Sequence, residues 1–303
     1  MTIITVGKAS VEIGNLAKVL YPATGFTKCD MIAYYHAIAP VMLPHLAQRP
    51  VMLKRFPDGV ERLSFYEKRC PAKRPPWVHQ AIVSSSTHGS LTYCVIDNAA
   101  TLVWLANRAA IEYHTCLFRD GHEDQPTMLM FDLDPGPPAG FAECLDIAVQ
   151  VRDLLRDLDL QAFAKTSGGK GLHLGVPVYG ASFTQAKTFA HAVAELLAKE
   201  NPQHVTTRMR KSERRGRVLI DWSQNDHGKT TACVYTLRAQ ERPMVSAPVT
   251  WDEIDKARRT RRSGSLQCES ARVLARVAEM GDLFAPTLTL RQLLPREYAT
   301  SPA

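Results

Sequence analysis

Several features that define common protein classes are missing from this chain of 303 residues. No stretch approaches the roughly 20 consecutive apolar residues that a membrane-spanning helix needs. The N-terminus, MTIITVGKAS, lacks the basic segment and apolar core of a secretory leader. These absences predict a cytoplasmic protein with no membrane partner.

Cysteine pairs that would mark a metal site are also missing. The seven cysteines are scattered and no two form a C-x-x-C pair, which argues against a structural zinc site. An odd number of widely spaced cysteines favours reduced thiols, so we expect no disulfide. The positions are Cys29, Cys70, Cys94, Cys116, Cys144, Cys233 and Cys268.

Lys and Arg outnumber Asp and Glu by 37 to 30, which gives a formal net charge of +7. Such a surface attracts polyanions, although a merely basic soluble protein has the same balance. The length allows one large domain or two small ones. We predict a single domain over residues 1–290, whose N-terminal part is 1–80, and a loosely ordered tail over 291–303.

The segment Thr127–Gly136, TMLMFDLDPG, is an apolar run interrupted by Asp132 and Asp134. It is typical of a buried strand. Residues two apart on a strand face the same side, so the two carboxylates would lie together, and a divalent cation would relieve their repulsion. The alternative is that they cap a following helix, but Pro135 and Gly136 postpone any helix.

Two later segments carry related chemistry. The apolar run VLID ends in Asp221, a natural third carboxylate for the same cation. In Thr166–Leu174, TSGGKGLHL, glycines let the backbone approach a ligand, and Ser167, Lys170 and His173 supply donors suited to phosphate oxygens. A strand-to-strand glycine turn explains the segment equally well, and its spacing is not that of a Walker loop.

The N-terminal loop, Asn15–Thr27, carries Lys18 and leads into a predicted helix. Thr27 is a good N-cap with Asp30 at the third helical position, which places Lys28 at the helix N-terminus. A phosphate there would meet backbone N–H groups and the positive end of the helix dipole. From these residues alone, two solvated surface lysines remain the favoured alternative.

Further candidates lie between these motifs. The adjacent aromatic residues Phe65 and Tyr66 have basic neighbours and could stack on a base, although one ring of such a pair often lies in a core. A predicted strand carries His114, and the basic stretch Arg208–Arg217 precedes the strand of Asp221. Charge runs and single histidines are most often structural or solvated.

These residues converge on one kind of chemistry. Three carboxylates can hold two divalent ions, which align an attacking 3′-hydroxyl with an α-phosphate and stabilise the leaving pyrophosphate. That reaction is nucleotidyl transfer, and it needs positioning and charge neutralisation more than a covalent nucleophile.

The ordered motifs FDLDPG, TSGGKGLH, VLIDWSQN and YTLR resemble the polymerase domain of bacterial ligase D, a branch of the archaeo-eukaryotic primase superfamily. The segments KVLYPATGFTK, KRFPDG, FYEK, IEYHT and VSAPVTWDE extend the resemblance over nearly the whole chain. It implies an α/β fold with a central mixed β-sheet flanked by helices.

The resemblance also implies roles for particular residues. Two ions per site, Mn²⁺ or Mg²⁺, would be held by Asp132, Asp134 and Asp221. Contacts to the incoming nucleotide would come from Phe65, His114, Ser167, Lys170, His173, Arg214, Gln224 and Arg238. A downstream DNA 5′-phosphate would be held by Asn15, Lys18 and Lys28.

Two positions depart from the family pattern. Tyr66 stands where many relatives have a second phenylalanine, and Gln224 stands where some relatives have an arginine. The chain also contains no ligase lysine motif and no nuclease segment, so we expect a free-standing polymerase module or an excised domain.

The leading hypothesis is a template-directed primase-polymerase, nucleoid-associated in the cytoplasm. It would prefer ribonucleoside to deoxyribonucleoside triphosphates and fill short gaps in gapped or broken double-stranded DNA, during end joining or excision repair. Expected partners are a separate DNA ligase and a Ku-type end-binding protein. The alternatives are a non-catalytic DNA-end-bridging protein of the same fold and a D-x-D phosphohydrolase, whose usual continuation differs from Pro135 and Gly136.

Overall fold

The computed structural model describes residues 2–85 and 89–299. The strands are β1 (Thr2–Val6), β2 (Ala9–Ile13), β3 (Val19–Tyr21), β4 (Phe26–Thr27), β5 (Pro50–Arg55), β6 (Phe65–Glu67), β7 (His79–Ser85), β8 (Gly89–Val95), β9 (Ala110–Cys116), β10 (Met128–Pro135), β11 (Phe163–Thr166), β12 (Leu172–Pro177), β13 (Val205–Thr206), β14 (Val218–Asp221), β15 (Thr230–Ala232), β16 (Leu237–Ala239), β17 (Pro243–Val245) and β18 (Pro248–Val249). The helices are α1 (Lys28–Leu46), α2 (Ala99–Asn107), α3 (Phe141–Asp157), α4 (Phe183–Glu200), α5 (Trp251–Thr260), α6 (Ser270–Met280), α7 (Pro286–Thr289) and α8 (Arg296–Ala299).

The chain divides into two compact units made of interleaved segments. The first unit comprises Met1–Gly121, Thr230–Ser246 and Cys268–Asp282, and the second comprises His122–Lys229, Ala247–Gln267 and Leu283–Ala303. The single domain predicted over residues 1–290 stays a prediction. Within the described ranges, no helix is both long enough and apolar enough to cross a bilayer.

The first unit is built on an antiparallel sheet with strand order β15-β9-β5-β8-β7, and β6 pairs with β5. The helices α1 and α2 pack together in this unit. The predicted start of α1 is confirmed, because the Thr27 hydroxyl accepts from the Asp30 N–H at 3.2 Å and an Asp30 carboxylate oxygen accepts from the Thr27 N–H at 2.7 Å. This reciprocal pair satisfies two N–H groups that the helix leaves unpaired.

The second unit is built on a mixed sheet with strand order β13-β14-β10-β12-β11-β18. Only the β13–β14 pair of this sheet is parallel, and the other neighbours are antiparallel. Apolar residues of α3 and α4 join Leu129, Phe131 and Leu133 of β10 in one buried core. The predicted α/β class, a mixed sheet flanked by helices, is confirmed.

Two sequence-based expectations about local structure are wrong. The apolar and β-branched residues of Ala232–Arg238, ACVYTLR, predict one strand. Instead, β15 ends at Ala232, Tyr235 has a left-handed φ of 69°, and β16 begins at Leu237. The tail is anchored over its described residues, because the buried Gln292 side chain donates to the carbonyls of Gln161 and Pro177 at 3.1 and 3.0 Å. The tail residues 300–303 lie outside the described residues.

The expectation of seven reduced thiols is also wrong. Cys70 and Cys94 form a disulfide, with Cα atoms 4.7 Å apart, and within the described residues none of the other five cysteines takes part in a disulfide. The Cys70 N–H also donates to the Thr92 carbonyl at 2.7 Å, so the backbone at Cys70 lies against β8. The partners are separated by 24 residues, so their pairing depends on strand placement that no local spacing signals.

We predict that replacing both disulfide cysteines, Cys70→Ser with Cys94→Ser, lowers the free energy of unfolding by about 3 kcal/mol, because the closed loop no longer restricts the unfolded chain. The measurement is urea unfolding with and without dithiothreitol. Reductant should weaken the native protein and leave the double variant unchanged, and the exposed free cysteine variant Cys29→Ser should behave as native. Identical native curves in both conditions would contradict the pairing.

Candidate functional site

The three predicted carboxylates lie on adjacent strands of the second unit. In the antiparallel β10–β14 pair, Asp132 stands opposite Asp221 and Asp134 stands opposite Leu219. Directly opposed residues on antiparallel strands share a face, as do residues two apart on one strand. Asp132, Asp134 and Asp221 therefore share one face of the sheet, while Leu133 points into the helix-covered core.

The same row continues across two more strands. His173 of β12 stands opposite Asp132 on one side and Lys165 of β11 on the other. The Lys165 ammonium lies 2.7 Å from His173 Nδ1, and His173 Nε2 lies 3.3 Å from an Asp132 carboxylate oxygen. A charged lysine can only donate, so it sets Nδ1 as the acceptor and directs the Nε2 proton towards Asp132.

Lys165 is a residue that the sequence analysis missed. Its side chain is 1% exposed, which is rare for a lysine without a polar partner. Its place directly before the segment TSGGKGLHL is the signal in the sequence, whereas its register with His173 is visible only in the sheet.

The Asp221 carboxylate already has local hydrogen bonds. One oxygen accepts from the Ser223 N–H at 2.9 Å and from the Ser223 hydroxyl at 2.6 Å. The other accepts from the Gln224 side-chain amide at 3.1 Å. Gln224 thus contacts a predicted carboxylate. The sequence analysis missed Ser223, although an Asp two residues before a Ser is typical of a turn in which the Asp side chain accepts from the backbone.

Three carboxylates on one face offer the oxygen ligands that Mg²⁺ and Mn²⁺ prefer. As the side chains stand, however, the described part of the chain contains no group of three His, Cys, Asp or Glu residues close enough to hold a metal ion. The residue types fit the ion, and holding it would require the three carboxylates to lie closer together than they stand.

The charges of Asp132 and Asp134 also affect the buried thiol of Cys144, which lies in the core. Burial raises the pKa of the Cys144 thiol, and the charges of Asp134 and Asp132 raise it further. Arg214 offers a counter-charge, since its guanidinium lies 4.0 Å from an Asp134 carboxylate oxygen and donates to the Met209 carbonyl at 2.5 Å. Arg214 is thus brought next to the predicted carboxylates.

The predicted glycine turn connects β11 and β12. The Ser167 hydroxyl accepts from the N–H groups of Gly169 and Gly171, both at 3.1 Å. Gly171 has no room for a side chain, because a Cβ atom there would overlap the carbonyl oxygen of Leu133. Ser167 is buried and Lys170 is exposed, so the turn presents one internal and one solvent-facing donor.

His114 and Arg238 lie in the first unit and share a buried carboxylate that the sequence analysis missed. His114 Nε2 lies 2.8 Å from a Glu112 carboxylate oxygen, and Arg238 Nε lies 3.3 Å from the same oxygen. The other oxygen accepts from the Ala239 N–H at 3.0 Å. Burial opposes the charge of Glu112, yet the His114 hydrogen bond and the Arg238 charge lower its pKa to about 2.

The pKa of His114 moves in the same direction for a different reason. Burial lowers it, and this outweighs the hydrogen bond and charge of Glu112, which raise it. At neutral pH the pair is therefore an ionised Glu112 and a neutral His114 whose Nε2 proton is donated to the carboxylate.

Phe65, also in the first unit, is 45% exposed, and the Arg55 guanidinium lies over its ring at 5.1 Å.

The three residues predicted to hold a 5′-phosphate have different surroundings. The Lys28 side chain is buried and donates to the Gly14 carbonyl at 2.7 Å, and burial followed by the charge of Lys18 lowers its pKa. Lys18 instead forms an exposed ion pair with Asp58 at 2.7 Å. Asn15 and Lys28 line one pocket of about 680 Å³, whereas Lys18 is not among its lining residues.

Comparison with known proteins gives consistent matches. A family model described as the LigD primase-polymerase domain matches residues 27–284. The multifunctional non-homologous end joining protein LigD of Mycolicibacterium smegmatis is 43% identical over 280 residues, which are 91% of this chain and 36% of that protein. The bifunctional non-homologous end joining protein LigD of Bacillus subtilis is 30% identical over 249 residues, 82% of this chain and 40% of that protein.

A solved structure is similar over almost its whole length. It is the polymerase domain from Mycobacterium tuberculosis ligase D in complex with DNA, with a TM-score of 0.85, 42% sequence identity and coverage of 92% of this chain and 98% of that chain. The chain spans little more than a third of the length of the two LigD proteins named above, 36% of one and 40% of the other.

The shared carboxylate of the first unit should make stability depend on pH. The folded pKa of Glu112, about 2, lies below its ordinary value of 4.5, so its contribution is present above pH 4.5 and is lost as the pH falls towards 2. We predict that native protein loses on the order of 2–3 kcal/mol of unfolding free energy from this group between pH 5 and 2. Buried His114, whose pKa is also lowered, adds a loss that begins as the pH falls through about 6.5.

The measurement is urea unfolding at a series of pH values for native protein, Glu112→Gln and the exposed control Glu61→Gln. The control should follow the native curve. Glu112→Gln should be less stable at pH 7 and lose less on acidification below pH 5. Parallel curves for native protein and Glu112→Gln would contradict the assignment.

Proposed function

Because the chain belongs to the LigD primase-polymerase family, we propose that it is a template-directed nucleotidyltransferase that extends primers and fills short gaps in DNA. The proposal includes a preference for ribonucleotides and for gaps with a downstream 5′-phosphate. The observation that carries it is the row Lys165–His173–Asp132–Asp221, with Asp134 on the same face.

The chain's own residues would divide the work of phosphoryl chemistry. Asp132, Asp134 and Asp221 would hold two Mn²⁺ or Mg²⁺ ions, which when bound supply charge neutralisation to the triphosphate and the attacking hydroxyl. Before a nucleotide binds, Lys165 and His173 would keep Asp132 oriented towards this face. Ser167 and Lys170 would donate to triphosphate oxygens, and His173 would contact them by redirecting its Nε2 proton from Asp132 to a phosphate oxygen. Arg214 and Gln224 would add contacts beside them.

His114 provides a physical basis for the ribonucleotide preference. Its Nε2 proton is donated to Glu112, so the Nδ1 lone pair is left as an acceptor. A 2′-hydroxyl can donate to such an acceptor, whereas a 2′-deoxy sugar cannot, and a buried acceptor left without a donor is costly. Phe65 would stack on the incoming base, and Arg238 would contact phosphates.

The wider setting is proposed from the relatives. Gapped or broken double-stranded DNA and nucleoside triphosphates would be the substrates, in end joining or excision repair, with a separate DNA ligase and a Ku-type protein as partners. A nucleoid-associated location in the cytoplasm stays a prediction. A non-catalytic end-bridging protein or a D-x-D phosphohydrolase would need neither a template nor a primer, which gives a direct way to distinguish them.

We predict that native protein adds nucleotides to a primer on a gapped duplex with a downstream 5′-phosphate, in the presence of Mn²⁺ and each nucleoside triphosphate in turn. Asp132→Asn with Asp134→Asn should lower the rate by at least about a hundredfold, because two ligands lose their charge. The exposed control Asp157→Asn should extend as native does. Absence of extension by native protein, or full extension by the double variant, would refute the proposal, and phosphate release from small phosphoesters would favour the phosphohydrolase.

We also predict different effects for the two lysines at the proposed phosphate site. Lys28→Ala should abolish the preference for a 5′-phosphorylated over a 5′-hydroxyl gap, because it removes a buried cation from the pocket. Lys18→Ala should reduce it less, because that ammonium is already paired with Asp58. Binding and extension on both gaps are compared with the exposed control Lys8→Ala, and equal losses on both gaps would contradict the assignment.

A further inference from the structure

The pocket that contains Asn15 and Lys28 continues well beyond them. Besides residues 10–14, its walls come from the segment that follows Cys70 and from the end of α2. These two segments contribute Lys73, Arg74, Trp77, Trp104 and Arg108. All of these residues belong to the first unit. None of the five carries a role in the function proposed above.

The pocket is strongly cationic. Lys28, Lys73, Arg74 and Arg108 line it, against Glu12 as its acidic residue. The Nε–H of Arg74 is buried and has no hydrogen-bond acceptor within the described residues. Arg108 lies 3.7 Å from the Glu67 carboxylate, a loose ion pair. An anion of more than one charge would therefore find donors that protein groups do not already occupy.

The pocket also has an aromatic wall. The Arg108 guanidinium lies over the Trp104 ring at 5.3 Å, so that ring has a cationic partner. The half-buried Trp77 ring has no ring or cation contact within the part of the chain that the structure describes. Indole faces of this kind are the surfaces on which nucleobases stack.

The size of the pocket separates two kinds of ligand. A volume of about 680 Å³ lies within the range of about 300–1,000 Å³ that is typical of sites for small organic ligands. A phosphate group alone would leave most of this space unfilled, and the ligand would contact neither tryptophan. The Cys70–Cys94 disulfide joins the start of the segment that carries Arg74 and Trp77 to β8.

We propose that the pocket binds the whole 5′-terminal nucleotide of a phosphorylated strand, with its base stacked on Trp77. Lys28 and Asn15 contact the 5′-phosphate, and Arg74 donates to the phosphate or to the sugar beside it. The inference rests on the proposed function, because that function makes a phosphorylated DNA end the ligand. It assigns a base-contacting role to Trp77 in addition to the phosphate contact.

The test measures dissociation constants by fluorescence anisotropy, without metal ion or nucleoside triphosphate. The probes are gapped duplexes whose downstream strand begins with a 5′-phosphorylated nucleotide, a 5′-phosphorylated abasic residue or a 5′-hydroxyl nucleotide. The terminal nucleotide is a mismatch to the template, so that loss of base pairing does not contribute. Native protein should bind the phosphorylated nucleotide at least about fivefold more tightly than the phosphorylated abasic end.

Variants then identify the stacking residue. Trp77→Ala should remove the difference between nucleotide and abasic ends and keep a preference for phosphate, while Trp77→Phe should retain most of the difference. Arg74→Ala should weaken binding of both phosphorylated ends several-fold. The exposed controls Tyr179→Ala and Lys8→Ala should bind as native does.

Equal affinity of native protein for the nucleotide and abasic ends would overturn the inference, whatever the variants do. A difference that persists in Trp77→Ala would overturn the role of Trp77. Because the assay needs no catalysis, its result is separate from primer extension. Failed extension with base-dependent binding would refute only the proposed polymerase activity, and successful extension without base-dependent binding would refute only the pocket assignment.

Discussion

The register of four neighbouring strands in the second unit determines what its polar face can do. Lys165, His173, Asp132 and Asp221 are successive cross-strand partners, so they form one row across β11, β12, β10 and β14. A slip of one residue in any pair would turn that strand's polar residues into the helix-covered core. The apolar residues Phe131 and Leu133, which alternate with the aspartates, make such a slip costly because they would leave the core. Packing on one face therefore fixes the chemistry on the other.

Two glycines allow the loops around this row to pack closely against neighbouring backbone. A Cβ atom on Gly171 would overlap the Leu133 carbonyl, and one on Gly136 would overlap the backbone of Arg214. The Gly136 N–H donates to the Arg217 carbonyl at 2.8 Å, and the Gly216 N–H donates to the Gly136 carbonyl at 3.0 Å. The glycine turn and the basic segment thus lie directly against the backbone of β10 or its continuation. The spacing of the sequence motifs reflects this close backbone packing as well as any contact with a ligand.

Local sequence signals predicted the elements of the fold and missed partners that only register brings together. Capping residues located the start of α1, and apolar runs and glycines located β10, β14 and the turn between β11 and β12. Lys165 was missed because its partner His173 lies across a strand pair, and cross-strand partners have no fixed spacing in sequence. Glu112 and Ser223 lie two residues from His114 and Asp221, but only the burial of Glu112 and the turn at Ser223 give that spacing its meaning. The Cys70–Cys94 pair, like Lys165, depends on strand placement, and Tyr235 interrupts a predicted strand with its left-handed φ.

The buried Glu112, which the sequence analysis missed, determines the tautomer and the role of the predicted residue His114. A lone His114 on a strand could present either ring nitrogen, and its role would be undefined. Glu112 accepts from Nε2 and also holds Arg238 and the Ala239 N–H, so its charge is neutralised without a metal ion. The histidine then stays neutral and presents Nδ1 as an acceptor. Selection of a hydroxyl-bearing sugar would follow from the fixed tautomer of His114, and that tautomer is set by a carboxylate two residues earlier on the same strand.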